Sequence, residues 1–144
     1  MAENCLVGKT CVAVDLADDG GAIRFVLDDG SEVVARADGD CCSHTWIENV
    51  DAPERLVGAP ILSVRDIAMP DLGQPGEYDV IAYYGCEITT ALGAVVIDYR
   101  NSSNGYYGGS LQWPSEHFYG GVDGQNVSSM RWKRIAPAEG ATTR

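Results

Sequence analysis

The chain has 144 residues, 45% of them hydrophobic, and a formal net charge of −11 from 21 acidic against 10 basic side chains. That length and apolar content suit one globular domain able to bury its own core, while the acidity sets the average surface against DNA, RNA and anionic membrane, since association with a polyanion needs the opposite sign. A small anionic ligand is not excluded, because close contact with arginines in a partly dry site outweighs a screened distant field.

In chain order, residues 10–16 and 22–27 are runs of mostly apolar, β-favouring side chains separated by Ala17-Asp18-Asp19-Gly20-Gly21, and Asp28-Asp29-Gly30 separates the second run from residues 33–37. Asp-Gly between extended runs is a hairpin signal, so an antiparallel meander is expected here. Ser43 can then cap a helix opening at His44, with Trp46, Ile47 and Val50 on one side, which predicts about two helical turns. Asp51-Ala52-Pro53-Glu54 is a second start signal, a capping carboxylate ahead of a first-turn proline, for a short turn of α or 3₁₀ helix ending at Gly58.

Residues 61–67 read as a strand, 69–76 as a Pro/Gly-rich loop, and 77–89 and 94–99 as two strands joined through Ala91-Leu92-Gly93, with 111–113 returning from an Asn104-Gly105 turn. The stretch 114–129 lacks a hydrophobic period, 130–135 adds a late strand, and 138–144 is a small, polar tail expected to fray. The expected fold class is α+β: mainly antiparallel β-sheet, with one or two short helices between an N-terminal β-meander and a central hairpin sheet, in a single domain over 1–137. Trp46, Trp113 and Trp132 are expected in the core, where large aromatics contribute most to burial.

No run approaches the ~20 apolar residues needed to cross a bilayer, and Met1-Ala2-Glu3-Asn4 is not a basic region leading into an apolar one. The expectation is a soluble, cytoplasmic protein. Cys5, Cys11, Cys41, Cys42 and Cys86 are odd in number and show no CxxC spacing, which argues for reduced thiols. Cys41-Cys42-Ser43-His44 offers metal-ligand types, but adjacent cysteines are poorly placed for joint tetrahedral ligation and the remaining ligands are missing, so no metal or cofactor is expected.

Residues 100–110, R-N-S-S-N-G-Y-Y-G-G-S, crowd one guanidinium, two amides, three serine hydroxyls and two tyrosine rings around three glycines. Two readings apply together. Asn-Gly between extended runs is a turn, and a rigid turn is also a platform for ligand-facing polar groups. The candidate ligand-binding residues are Arg100, Asn101, Ser103, Asn104, Tyr106 and Tyr107. The one dense basic group, Arg131-Trp132-Lys133-Arg134, reads first as a charged edge strand; Arg131, Lys133 and Arg134 are also candidates for a second phosphate site on charge alone.

Chemistry would need a nucleophile with a base, paired carboxylates or a metal cluster. None is legible: His44 stands at an expected helix start, His117 has no motif neighbour, and GxxxxGK[ST], GxGxxG, HExxH and GxSxG are all absent. A non-enzyme is expected.

The blocks Cys41-Cys42-Ser43, Trp46, Ile47-Glu48-Asn49-Val50, residues 56–62 (L-V-G-A-P-I-L) and Ser103-Asn104-Gly105-Tyr106-Tyr107, in that order, resemble the first family of Thoeris anti-defence sponge proteins of phages. The resemblance runs over about Cys41 to Gln112. It implies a homo-oligomer in the host cytoplasm that binds a cyclic ADP-ribose-type or cyclic nucleotide immune signal without cleaving it. It further implies that Asn104 bonds a base or ribose, that Tyr106 or Tyr107 packs on a ring, and that Arg100 pairs with pyrophosphate. Amide, aromatic face and guanidinium independently suit those roles. The alternative function is a phage structural or host-protein interaction module that meets protein through the Tyr-rich segment, since tyrosine is equally enriched at protein interfaces.

Overall fold

The computed structural model describes residues 4–39, 43–69, 80–103, 108–114 and 130–137. Nine strands are described: β1 (Cys11–Ala17), β2 (Ala22–Leu27), β3 (Glu32–Gly39), β4 (His44–Asp51), β5 (Ile61–Ala68), β6 (Val80–Thr90), β7 (Gly93–Ser103), β8 (Gly109–Gln112) and β9 (Trp132–Ala136). They form two antiparallel sheets, one in the order β8-β3-β2-β1-β9 and the other β4-β7-β6-β5. Among the described residues no helix is long and apolar enough to cross a membrane.

The N-terminal meander forms as expected. Gly30 takes φ +89, its N–H bonds Leu27 O, and Asp29 accepts from both the backbone and hydroxyl of Ser31, a local network that closes the β2–β3 turn. Period-2 alternation then sends Ile23, Phe25 and Leu27 inward and leaves Arg24 outward. Inward residues of the other sheet, among them Ile47, Ile88, Val95 and Ile97, complete one shared core with Leu6 and Leu56.

The helix expected over 44–50 is not formed. Those residues are β4, paired along their length with β7. Three apolar positions in seven cannot tell a helical stripe from a strand. The β-branched and aromatic run Thr45-Trp46-Ile47 goes extended because a partner edge is present, with Thr45 and Ile47 buried and Trp46 on the opposite face. The second start signal does hold a 3₁₀ turn, Pro53–Leu56, but Asp51 does not cap it: Ala52 occupies the cap position at φ 56 with no side-chain cap bond. The helical content of the expected α+β class is thus reduced to this turn among the described residues.

The central hairpin also differs. Strand β7 runs through Arg100, Asn101, Ser102 and Ser103, which therefore are not turn residues. Strand β8 does not return beside β7, because both edges of β7 are already bonded, to β4 and β6; it pairs instead with β3 in the other sheet. The crossing is made possible by glycine. Gly39 and Gly109 face each other in the β3–β8 register, and a Cβ on either would lie 2.5 Å from Thr45 Oγ1. The edge of β8 that faces away from β3 is met by a phenol: Gly109 N–H donates to Tyr84 Oη at 3.2 Å. At another corner Gly8 N–H donates to Ile61 O and Ile61 N–H to Lys9 O, each at 2.8 Å, stitching β5 to the start of β1.

Of the three tryptophans, Trp113 packs against the core, its ring stacked on Phe25 at 5.8 Å. Trp46 and Trp132 are half-buried outside it, correcting their expected placement. Cys11 and Cys86 are buried free thiols and Cys5 is half-buried and free, while Cys41 and Cys42 lie outside the described residues.

Two outcomes follow from the sheet-to-sheet contact. Gly109→Ala should lower stability in urea unfolding by about 1–3 kcal/mol, the usual cost of overpacking, because the added methyl meets buried Thr45 rather than a flexible chain end. Tyr84→Phe should cost about 1 kcal/mol in the same assay by leaving the Gly109 N–H unpaired.

Candidate functional site

Strand β7 divides the expected ligand residues between two faces. Its alternation buries Tyr99, Asn101 and Ser103 and turns Asp98, Arg100 and Ser102 outward. Arg100 therefore does not converge with Asn101 and Ser103 on one ligand. Asn104, Tyr106 and Tyr107 lie outside the described residues.

Asn101 is fully buried and acts as an interior pin. Its Nδ2 donates to Thr45 Oγ1 at 2.8 Å and to Ser43 Oγ at 3.0 Å, under the Gly39–Gly109 pair, while its Oδ1 has no hydrogen-bond partner. Ser103 is also buried. These two hold the end of β7 in place rather than presenting donors to a ligand from outside.

On the outer face the register places Trp46, Arg100 and Tyr83 directly opposite one another across β4, β7 and β6. The Arg100 guanidinium carbon lies 5.0 Å from the Tyr83 ring centroid. The rings of His44 and Trp46 stack at 5.3 Å along β4. Trp46 Nε1 donates to Glu48 Oε1 at 2.8 Å, and the same carboxylate oxygen stands 3.9 Å from Arg100 Nη1. Arg100 Nη2 donates to Asp98 Oδ2 at 3.2 Å.

This array is incompletely satisfied. Arg100 Nε and Asp98 Oδ1 are buried without a hydrogen-bond partner, although the two side chains retain 22% and 19% exposure. An ion pair with that much access to water is worth about 1 kcal/mol or less, so a phosphate could draw the guanidinium from Asp98 at small cost. A flat cation between two aromatic positions also suits a ring laid across it. Trp46, Tyr83 and His44 were not singled out as ligand residues by sequence. Their only signal was residue type, and for His44 and Trp46 the expected helix pointed elsewhere; which of them stands opposite Arg100 depends on register.

The second basic group is arranged differently. Arg131 and Lys133 are exposed and Arg134 is half-exposed. The guanidinium of Arg134 is held by Asp15, which is 2% exposed and also accepts from Arg24 Nη2 at 2.7 Å and Nε at 3.0 Å. Arg24 lies in turn over the Trp132 ring at 4.4 Å. Burial pushes the Asp15 carboxyl up, but the hydrogen bonds and charges of Arg134 and Arg24 together outweigh it and hold the group below the usual carboxylate range. With Arg134 committed to Asp15, the three basic residues do not form a convergent phosphate fork. The charged edge-strand reading fits β9, which is the outer strand of its sheet.

On the inner face, burial and then the neighbouring Asp66 charge push the Cys86 thiol and the Tyr99 phenol each up to about 12. Both are neutral donors near pH 7. Among the described residues no group of three or more His, Cys, Asp or Glu side chains is placed to hold a metal ion.

A family model described as a domain of unknown function, DUF7448, matches residues 4–113, from ahead of β1 through β8. No curated protein and no solved structure matches the chain.

Asp15→Asn should lower stability by about 1–3 kcal/mol, the range for hydrogen bonds to charged groups, since both arginines keep some access to water. Because the folded carboxyl sits below its unfolded value of about 4, the wild-type advantage should be complete from about pH 5 upward and shrink as pH falls below about 4. Urea midpoints of the two proteins at pH 7 and pH 3 measure this; an equal gap at both would remove the carboxylate from the account.

Proposed function

The chain belongs to the DUF7448 family, a domain of unknown function, and we propose that it sequesters, without turnover, a small cyclic nucleotide or cyclic ADP-ribose-type signal. In that role a phage protein in the host cytoplasm depletes the messenger before a defence effector can respond. The single observation that carries the reading is the Trp46–Arg100–Tyr83 row: a half-buried guanidinium with an unpaired N–H, flanked across two strands by aromatic rings. Guanidinium meets pyrophosphate and aromatic rings meet bases, which are the two chemical parts of such a signal.

The row also stands where β7 runs into Asn104-Gly105-Tyr106-Tyr107, the block that carries the resemblance to the Thoeris anti-defence sponges. The net charge of −11 repels an anionic ligand at long range, so tight capture in this reading depends on slow release rather than fast arrival. A homo-oligomer, in which a second copy closes over the outer face, belongs to the same reading.

Isothermal titration with cyclic ADP-ribose and with cyclic di- and trinucleotides tests it. Saturable uptake of at least one of them is expected, unchanged in chemical identity on recovery, with Arg100→Ala weakening it about tenfold or more. No uptake of any of these ligands, or equal affinity in Arg100→Ala, overturns the proposal. Capture of a protein partner that depends on the 104–107 segment, with no nucleotide bound, would put the interaction-module function in its place.

A further inference from the structure

On the opposite side of the second sheet from Arg100 lies a cleft of about 280 Å³. Residues of β5, β6 and β7 form one wall; β8 and Trp113 form the other. It is distinct from the Arg100 row, because Cys86 and Tyr99 on its wall point inward while Arg100 points outward. Its size also separates it from the signal proposed above. Ligand pockets span about 300–1,000 Å³, so this one has room for a single ring with a charged substituent and not for a dinucleotide.

The chemistry of the lining is one-sided. Asp66 stands opposite Cys86 in the β5–β6 register and is exposed, and its carboxylate makes no hydrogen bond or ion pair among the described residues. Arg65, the one cation among the described lining residues, does not neutralise it: Arg65 Nε donates to Glu87 Oε1 at 2.8 Å and its Nη2 lies 2.7 Å from the same oxygen. The other polar groups deeper in the cleft, the Cys86 thiol and the Tyr99 phenol, are uncharged near pH 7. A cation is therefore attracted and an anion repelled.

The walls are flat and held. Trp113 is stacked on Phe25, and Tyr99 on Tyr84 with centroids 5.2 Å apart, so neither ring has to be ordered when a ligand enters. A carboxylate with two free oxygens beside an aromatic face selects a planar donor fork over a tetrahedral ammonium, since the fork gives two parallel N–H bonds and also lies flat on a ring.

We propose that this cleft is a second binding site, which takes a small planar organic cation of the amidinium or guanidinium class with its paired N–H groups on Asp66 and its flat face against Trp113. The site does not rest on the nucleotide reading and operates whether or not that reading holds.

Benzamidine, titrated into ¹⁵N-labelled full-length protein, is the probe. Saturable shifts are expected at the backbone amides of Asp66, Cys86 and Leu111, with benzoate at matched concentrations producing none. Asp66→Asn should weaken benzamidine binding about tenfold or more, as expected for losing a charge-assisted contact, with an unchanged urea midpoint. Arg100→Ala should leave it as in the wild type, which keeps failure of this site distinct from failure of the outer-face site. No saturable shift at the cleft amides, equal binding of benzoate, or full binding by folded Asp66→Asn would each overturn the proposal. The comparison of benzamidine with benzoate uses the wild-type chain and so decides the matter even if the variant unfolds.

Discussion

Strand β7 is hydrogen-bonded on both edges, to β4 and to β6, and most of the protein's organisation follows from that. A strand with both edges occupied cannot slip or accept a third neighbour, so each side chain is committed to one face. Tyr99, Asn101 and Ser103 must go inside, Asp98 and Arg100 outside. The chain that leaves β7 has no place in the same sheet and crosses to pair with β3. A stretch crowded with polar residues is thereby split into an interior hydrogen-bonding half and an outward cationic half.

The crossing sets the second constraint, the close approach of two sheets at polar positions. Buried Asn101 and Thr45 would be costly against ordinary side chains. Against Gly39 and Gly109 the hydroxyl and amide can bond each other at 2.8 Å in the space that two Cβ atoms would otherwise fill. The phenol of Tyr84 takes up the Gly109 N–H of β8 on the side away from β3. Edge N–H groups are a liability in any sheet, and here a side chain from the other sheet covers one of them.

The two arginine clusters show how burial separates structural from available charge. Asp15, almost wholly enclosed, binds two guanidinium groups and fastens β1 to β2 and β9. Its partners are not free for a ligand without stranding a buried carboxylate. Arg100 and Asp98 are wetter and pair through one contact, with a donor and an acceptor left over. The same residue types thus give a clamp on one sheet and a wetter, incompletely paired contact on the other. Similarly, the Asp66 carboxylate has no ion-pair partner among the described residues, and Arg65 beside it in sequence pairs with Glu87.

The meander of β1 to β3 was legible because its information is local: Asp-Gly turns and period-2 alternation act within a few residues. The 3₁₀ turn at Pro53 was legible for the same reason, and Arg100 was identifiable as a distinctive group by its neighbours in sequence. The state of residues 44–50 was not, since seven residues with three apolar positions are compatible with helix and strand alike, and the free edge of β7 decided between them. Nor could the sequence say that Trp46 and Tyr83 flank Arg100, or that Arg134 belongs to Asp15, 119 positions away. By itself the chain determined its turns, its alternating faces and its acidic surface, all properties of neighbouring residues. Which strands became partners, and hence which polar groups were consumed inside and which stayed on the outer faces, was decided only by tertiary pairing, because register joins residues whose separation along the chain carries no local signal.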